Sequence, residues 1–214
     1  MNESANGLAG VVHSVNVSPV RTIHYHGREI TTGIFKEPVS SRIAVRGVNL
    51  DGDDQADRTV HGGADQAVYA YALEDYQWWE QQLGRSLPPG QFGENLTTSG
   101  IRINDALVGE RWRVGTALLQ VTAPRTPCYK LAMKMDDPRF IKRFALALRP
   151  GPYFSIVEEG EIQQGDAIQV VHRPSHNITI AEMTNIYLFQ HDRLAELLVP
   201  ELPPAWRESI LSHT

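Results

Sequence analysis

Apolar and polar positions alternate along GVVHSVNVS from Gly10, and less cleanly along SSRIAVRGVNL from Ser40. That period of two predicts strands. INDALVGERWRVGTALLQVTAP, from Ile103, predicts two paired strands with a turn at Val108-Gly109. YFSIVEEGEIQQGDAIQVVHR, from Tyr153, predicts a second such pair. GERWRV from Gly109 and GDAIQV from Gly165 share one pattern, a glycine and an acid opening a strand with one apolar face. Several short strands joined by glycine-containing turns favour a barrel or sandwich.

Helical spacing interrupts the strands. Residues 65–84, DQAVYAYALEDYQWWEQQLG, place Val68, Tyr71, Ala72, Tyr76 and Trp79 near one face, with an acid at the start and a glycine at the end. This predicts one capped helix. DPRFIKRFALAL, from Asp137, predicts another, ended by Arg149-Pro150-Gly151. After Pro174 the pattern becomes helical throughout. Thr179 to Glu182 fits a capping box, and AEMTNIYLFQ, RLAELLV and PAWRESILSH follow as three short helices. The expected organisation is mainly β with helices: a β-barrel over residues 1–174 and a three-helix module over 175–214.

The chain has 214 residues, 42% of them hydrophobic and 21% charged, as in ordinary globular proteins. Its net charge of -5 argues against binding a nucleic-acid polymer but leaves room for a local basic pocket. No apolar run is long enough to span a membrane. The start, MNESANGLAGVV, lacks the basic and apolar regions of a secretory signal, so a cytoplasmic location is expected.

Cys128 is the only cysteine, so it can form neither an internal disulfide nor, by thiolates alone, an iron–sulfur or structural zinc site. Arg125 and Lys130 flank it, and nearby cations stabilise a thiolate. Pro124 and Pro127 stiffen the segment. The alternative is a small buried cysteine whose neighbours merely face water.

Three further stretches carry candidate chemistry. In TVHGGADQA, Gly62 and Gly63 after His61 can present N–H groups to an anion at a helix start, with Arg58 nearby; equally, they can form a tight turn. In GQFGENLTTSG, Gly93 flanks Glu94 and Asn95, whose side chains can meet a heterocycle edge or cap the loop itself. Arg149, between a helix and a strand, can reach a phosphate or form a surface ion pair. His24 and His26 lie one residue apart on a candidate strand face. DGDDQADRTVHG fails as a calcium loop, since Ala56 and Gly62 replace the required glycine and glutamate.

TVHGG, FGEN and PRTPCYKL, in that order, resemble the MOSC domain family, named for the C-terminal domain of molybdenum cofactor sulfurases. The likeness is to its YiiM-type bacterial branch, which has a three-helix C-terminal extension. It runs from about Gly10 to the end, including RPGPYFSIVEEGEIQQGDAIQV and ITIAEM. The resemblance implies a MOSC-type β-barrel whose cysteine ligates molybdenum in the pterin-based molybdenum cofactor. It also implies reduction of N-hydroxylated compounds such as N-hydroxylaminopurines. Cys128 is then the metal ligand, accompanied by Arg125 and Lys130, with His61-Gly62-Gly63 and Gly93-Glu94-Asn95 as pocket loops.

Residue chemistry agrees with that implication. Two dithiolene sulfurs already hold the metal, so one soft protein thiolate suffices. Arg125, Lys130, Arg149 and the His61 loop offer cations and N–H donors for the cofactor's phosphate; individual bonds from Arg58, Arg149 or Asn95 are our inference. His61 is the candidate proton donor, because imidazole titrates near neutrality. Electrons are expected from a separate redox protein, a homodimer through the helical tail is possible, and pyridoxal phosphate is not expected. Two other readings stay open: a cofactor or sulfur carrier, and a cysteine hydrolase with Cys128 as nucleophile, His61 as base, and Asn95 or Asp65 orienting it.

Overall fold

The computed structural model describes residues 9–56 and 62–213. The first part of the chain supplies β1 (Ala9–Val17), β2 (Arg21–Tyr25), β3 (Arg28–Thr32), β4 (Glu37–Val39), β5 (Ile43–Arg46) and β6 (Asn49–Leu50). The middle supplies β7 (Val68–Ala72), α1 (Leu73–Leu83), β8 (Leu96–Ser99), β9 (Arg111–Val114), β10 (Ala117–Pro124), α2 (Tyr129–Met135) and α3 (Phe140–Ala147). The rest supplies β11 (Pro152–Glu158), β12 (Gly160–Ile162), β13 (Ala167–His172), α4 (Ile180–Phe189) and α5 (Pro204–Leu211).

Seven strands close a barrel in the order β13, β9, β10, β11, β7, β8, β1, and β1 returns to β13 with Ala9 opposite Gln169 and Val11 opposite Ala167. The pairings are antiparallel except β7 with β8, which run parallel and are joined through α1. β4 extends the sheet beyond β1, while β2 and β3 form a separate hairpin. No helix among the described residues is long and apolar enough to cross a membrane.

The helix expected over residues 65–84 is corrected. It resolves into a 3-10 turn (Ala64–Gln66), β7 and α1. β7 is buried at every position because both of its faces are covered. Val68, Ala70 and Ala72 point into the barrel core, whereas Tyr69 and Tyr71 join a second, aromatic cluster outside it. A strand covered on both sides has no polar alternation to reveal it. The expected stop at Gly84 is present: its φ is 65° and its N–H donates to Glu80 O at 2.8 Å.

Two turn expectations also change. β9 and β10 turn at Gly115-Thr116, not at Val108-Gly109. The stretch from Tyr153 is not a hairpin either: β11 pairs with β10 and β7, β12 with β5, and β13 with β9 and β1. The matching segments GERWRV and GDAIQV become adjacent strands, with Trp112 opposite Val170 and Val114 opposite Ile168.

Thr179 caps α4, its Oγ1 accepting from Glu182 N at 3.0 Å. Between α4 and α5 lies a 3-10 segment, His191–Leu197. Ile180, Met183, Leu194, Leu197 and Ile210 belong to the same apolar cluster as the barrel interior.

The aromatic cluster positions the loop at residues 90–95. Phe92 is fully buried, stacked 4.1 Å from Tyr71 and edge-on to Tyr76 at 4.9 Å, with Trp79, Phe140 and Phe144 around it. Trp78 stays half-buried while Trp79 is enclosed. Phe92→Ala is expected to cost about 3–5 kcal/mol, the usual range for emptying such a site, measured by urea unfolding.

Candidate functional site

The thiol follows the last ladder bonds of β10. Pro124 lies opposite Pro152 of β11, and Arg125 N donates to Gly151 O at 3.1 Å. The chain then leaves the sheet through Thr126 and Pro127 and reaches Cys128 in an extended conformation, directly before α2. Cys128 is half-buried and opens on a cleft. Residues from segments 32–36, 53–56 and 66–69, with Gly93, Asn95, Arg125, Lys130 and Tyr153, line the rest of it.

One anion fixes the floor. The fully buried Glu94 carboxylate accepts from Tyr76 Oη (2.6 Å), Gly90 N (2.7 Å), Thr97 Oγ1 (2.8 Å) and Phe92 N (3.1 Å). Gly93 has φ 76°, and a Cβ there would lie 2.7 Å from Ile34 Cγ1, so glycine alone fits the turn.

A second pair lies beside it. Lys36, with 9% of its side chain exposed, donates to both oxygens of Asp53, which is 3% exposed; the bond to Oδ2 is 2.5 Å. Ser18 N and Asn95 Nδ2 also donate to Asp53, each at 2.9 Å. Burial lowers the Lys36 pKa, and the Asp53 charge opposes that shift.

Arg125 is enclosed, with Nη1 donating to Phe92 O and the guanidinium 5.0 Å from the Tyr69 ring centroid. Its Nε is buried with no hydrogen-bond partner, and among the described residues no carboxylate pairs with it. Arginine stays charged in any such setting. A buried cation with an unspent N–H is a place for an anion.

The other sequence candidates fall as follows. Lys130 lines the cleft and donates to Thr31 O at 3.1 Å, tying the β2–β3 hairpin to the site. Asn95 lines it too, but its amide is turned on the protein: Oδ1 accepts from Tyr69 N at 3.1 Å, and Nδ2 reaches Asp53 and Asn16 O. It is thus not free to orient a catalytic base. Gly63 N is spent on Gln55 Oε1 at 2.9 Å, and a 3-10 turn follows Gly62-Gly63 where a helix was expected, so no α-helix dipole backs that loop. Arg149 stands apart in another cavity, 2.5 Å from Asp75 and over the Trp78 ring, an ion pair in place of a phosphate contact. Arg58 and His61 lie outside the described residues. His24 faces Glu29 at 3.3 Å, and His26 is a left-handed turn residue, not a strand partner.

Lys36, Asp53, Tyr69, Tyr153 and Lys134 were not picked out from sequence. One signal was available: of 20 basic residues only four are lysines, and Lys36, Lys130 and Lys134 all lie at this cleft or beneath it.

A barrel with this thiol-bearing cleft matches one known family. The MOSC domain model matches residues 57–169, and the chain belongs to the MOSC domain family. It is 34% identical over 204 residues to Uncharacterized protein YflK of Bacillus subtilis (strain 168), covering 94% of this chain and 92% of that one. The crystal structure of YiiM from Geobacillus stearothermophilus superposes with a TM-score of 0.79 at 33% identity, covering 95% of this chain and 98% of that one. A protein named Reductase from Gibberella moniliformis (strain M3125 / FGSC 7600) is 31% identical over 156 residues, which is 69% of this chain but 27% of that much longer one.

Asp53→Asn leaves the buried Lys36 ammonium without its counter-charge and is expected to cost about 3–5 kcal/mol in urea unfolding. The Lys36 pKa is lowered on folding, so the unfolded chain binds more protons between the lowered value and 10.5. The loss should therefore shrink as pH rises through that window, where the folded amine is neutral.

Proposed function

We propose that this chain is a molybdenum-cofactor-dependent reductase of N-hydroxylated compounds, such as N-hydroxylaminopurines, with Cys128 as the metal's protein ligand. The observation that carries the reading is the half-buried thiol opening on the same cleft as an enclosed arginine whose Nε has no partner. Membership of the MOSC family, and a relative named Reductase, support redox chemistry.

The residues present suit such a group. Cys128 Sγ is the soft donor for the metal. Arg125 and Lys130 would hold the anionic part of the cofactor, with Lys36 beside them bound to Asp53. Tyr69 and Tyr153, rings 5.0 Å apart, give the cleft an aromatic wall behind the arginine. When bound, the cofactor supplies two-electron reduction. An N–OH compound, two electrons and two protons then give the N–H product and water. The electrons come from a separate redox protein, and His61 is our candidate for proton delivery.

Wild-type protein purified from cells that make the cofactor is expected to carry molybdenum and pterin, and Cys128→Ala to lose the metal. Metal and released pterin per chain are the quantities to measure. Wild-type protein free of both would sink the proposal. His61→Ala is expected to keep the metal and lose turnover of an N-hydroxylated base; undiminished turnover would remove His61 from the chemistry.

A further inference from the structure

Lys134 lies on α2, in the helix that begins directly after the cysteine. Its Nζ donates to Ile34 O at 2.8 Å and to Gly90 O. Gln91 Nε2 answers by donating to Lys134 O at 3.0 Å. The ammonium also lies 5.6 Å from the Phe35 ring centroid. Ile34 lines the cleft, and Gly90 opens the loop whose Gly93 and Asn95 line it. Ile34 lies two residues before Lys36, and Gly90, held by Lys134 at its oxygen, is held by Glu94 at its own nitrogen, Gly90 N donating to Glu94 Oε1 at 2.7 Å.

We propose that Lys134 is a positioning residue: one part-buried ammonium, bound to Ile34 O and Gly90 O, sets the Lys36 segment and the Glu94–Asn95 loop against the helix that follows Cys128. The proposal deepens the reductase reading, since it concerns the same cleft, but its geometry does not depend on that reading. An apolar side chain would serve as a simple core contact without the desolvation that a buried ammonium carries. What the ammonium adds is direction. It holds two carbonyls of distant segments at once, with charge-assisted bonds.

The charged groups facing it set its response to pH. Burial is the largest influence and lowers its pKa to about 7, with Arg125, Lys36 and Arg21 pushing the same way and Glu94 opposing. As pH rises through neutrality the ammonium becomes an amine. It keeps two N–H donors but loses the charge that strengthens them and its attraction to the Phe35 ring. The walls of the cleft should therefore loosen. Global stability moves the other way: between about 7 and 10.5 the unfolded chain binds the extra proton, so this group's contribution rises with pH. A tether that served stability alone would not separate the two.

The test uses metal-free chain labelled at lysine Cε, with its four lysines assigned by substitution. The signal lost in Lys134→Met should titrate near 7, and the Asn95 side-chain amide should shift with the same midpoint. In Lys134→Met the amide should sit at its high-pH position throughout, and in Lys134→Arg at its low-pH position. An Asn95 amide that follows neither the Lys134 midpoint nor the substitutions overturns the proposal. Should Lys134→Met not fold, the wild-type titration and Lys134→Arg decide. In cofactor-loaded protein, Lys134→Met should retain molybdenum about tenfold less well, the usual scale for residues behind a ligand. A wild-type chain that takes up no metal defeats the reductase reading, and the metal-free spectra still decide the clamp.

Discussion

Glu94 is a fully buried carboxylate, and the site depends on how its charge is met. A buried anion is tolerable only when donors replace its hydration shell. Here a tyrosine, a threonine and two backbone amides do so, and they come from α1, β8 and the loop itself. That requirement folds the loop at residues 90–95 into a tight ring around the carboxylate. The ring carries Phe92 into the aromatic cluster and leaves Phe92 O facing Arg125. Asn95, at its end, joins β7 to the Lys36–Asp53 pair.

Charge balance follows from the same arrangement. Lys36, Arg125 and Lys134 lie under or beside the cleft, against the two anions Asp53 and Glu94. Asp53 is matched to Lys36, and Glu94 is spent mostly on neutral donors. Arg125 bonds the Phe92 carbonyl and lies against the Tyr69 ring, and among the described residues no carboxylate pairs with it. A chain whose net charge is -5 thus keeps an enclosed guanidinium at the wall of one cleft. Local placement, not the sum of charges, decides what such a site attracts.

How much of this was legible beforehand varied with the kind of signal. Strand β1, the Thr179 cap and the stop at Gly84 announce themselves through short-range pattern. β7 does not. Its five residues are apolar or aromatic on both faces, and near a helix they read as helix. Cys128 stood out by rarity and by its neighbours. Lys36 and Asp53 did not, because their meaning lies in a pairing across 17 residues that only the folded chain brings about. The same holds for Arg149, whose partner Asp75 is 74 residues away. Asn95 was found by its loop, yet its amide serves the protein's own backbone, the other outcome that loop chemistry allowed.

The pairing of β1 with β13 has a consequence for synthesis. A barrel whose first strand needs residues 167–169 as a neighbour cannot close until that segment has left the ribosome. The segments around the thiol emerge one after another, from residue 32 to residue 153, and have no common frame before that closure. Contacts so distant in sequence form late and slowly. A ligand that needs all of these walls therefore meets a closed barrel, and its loading follows that closure instead of guiding it.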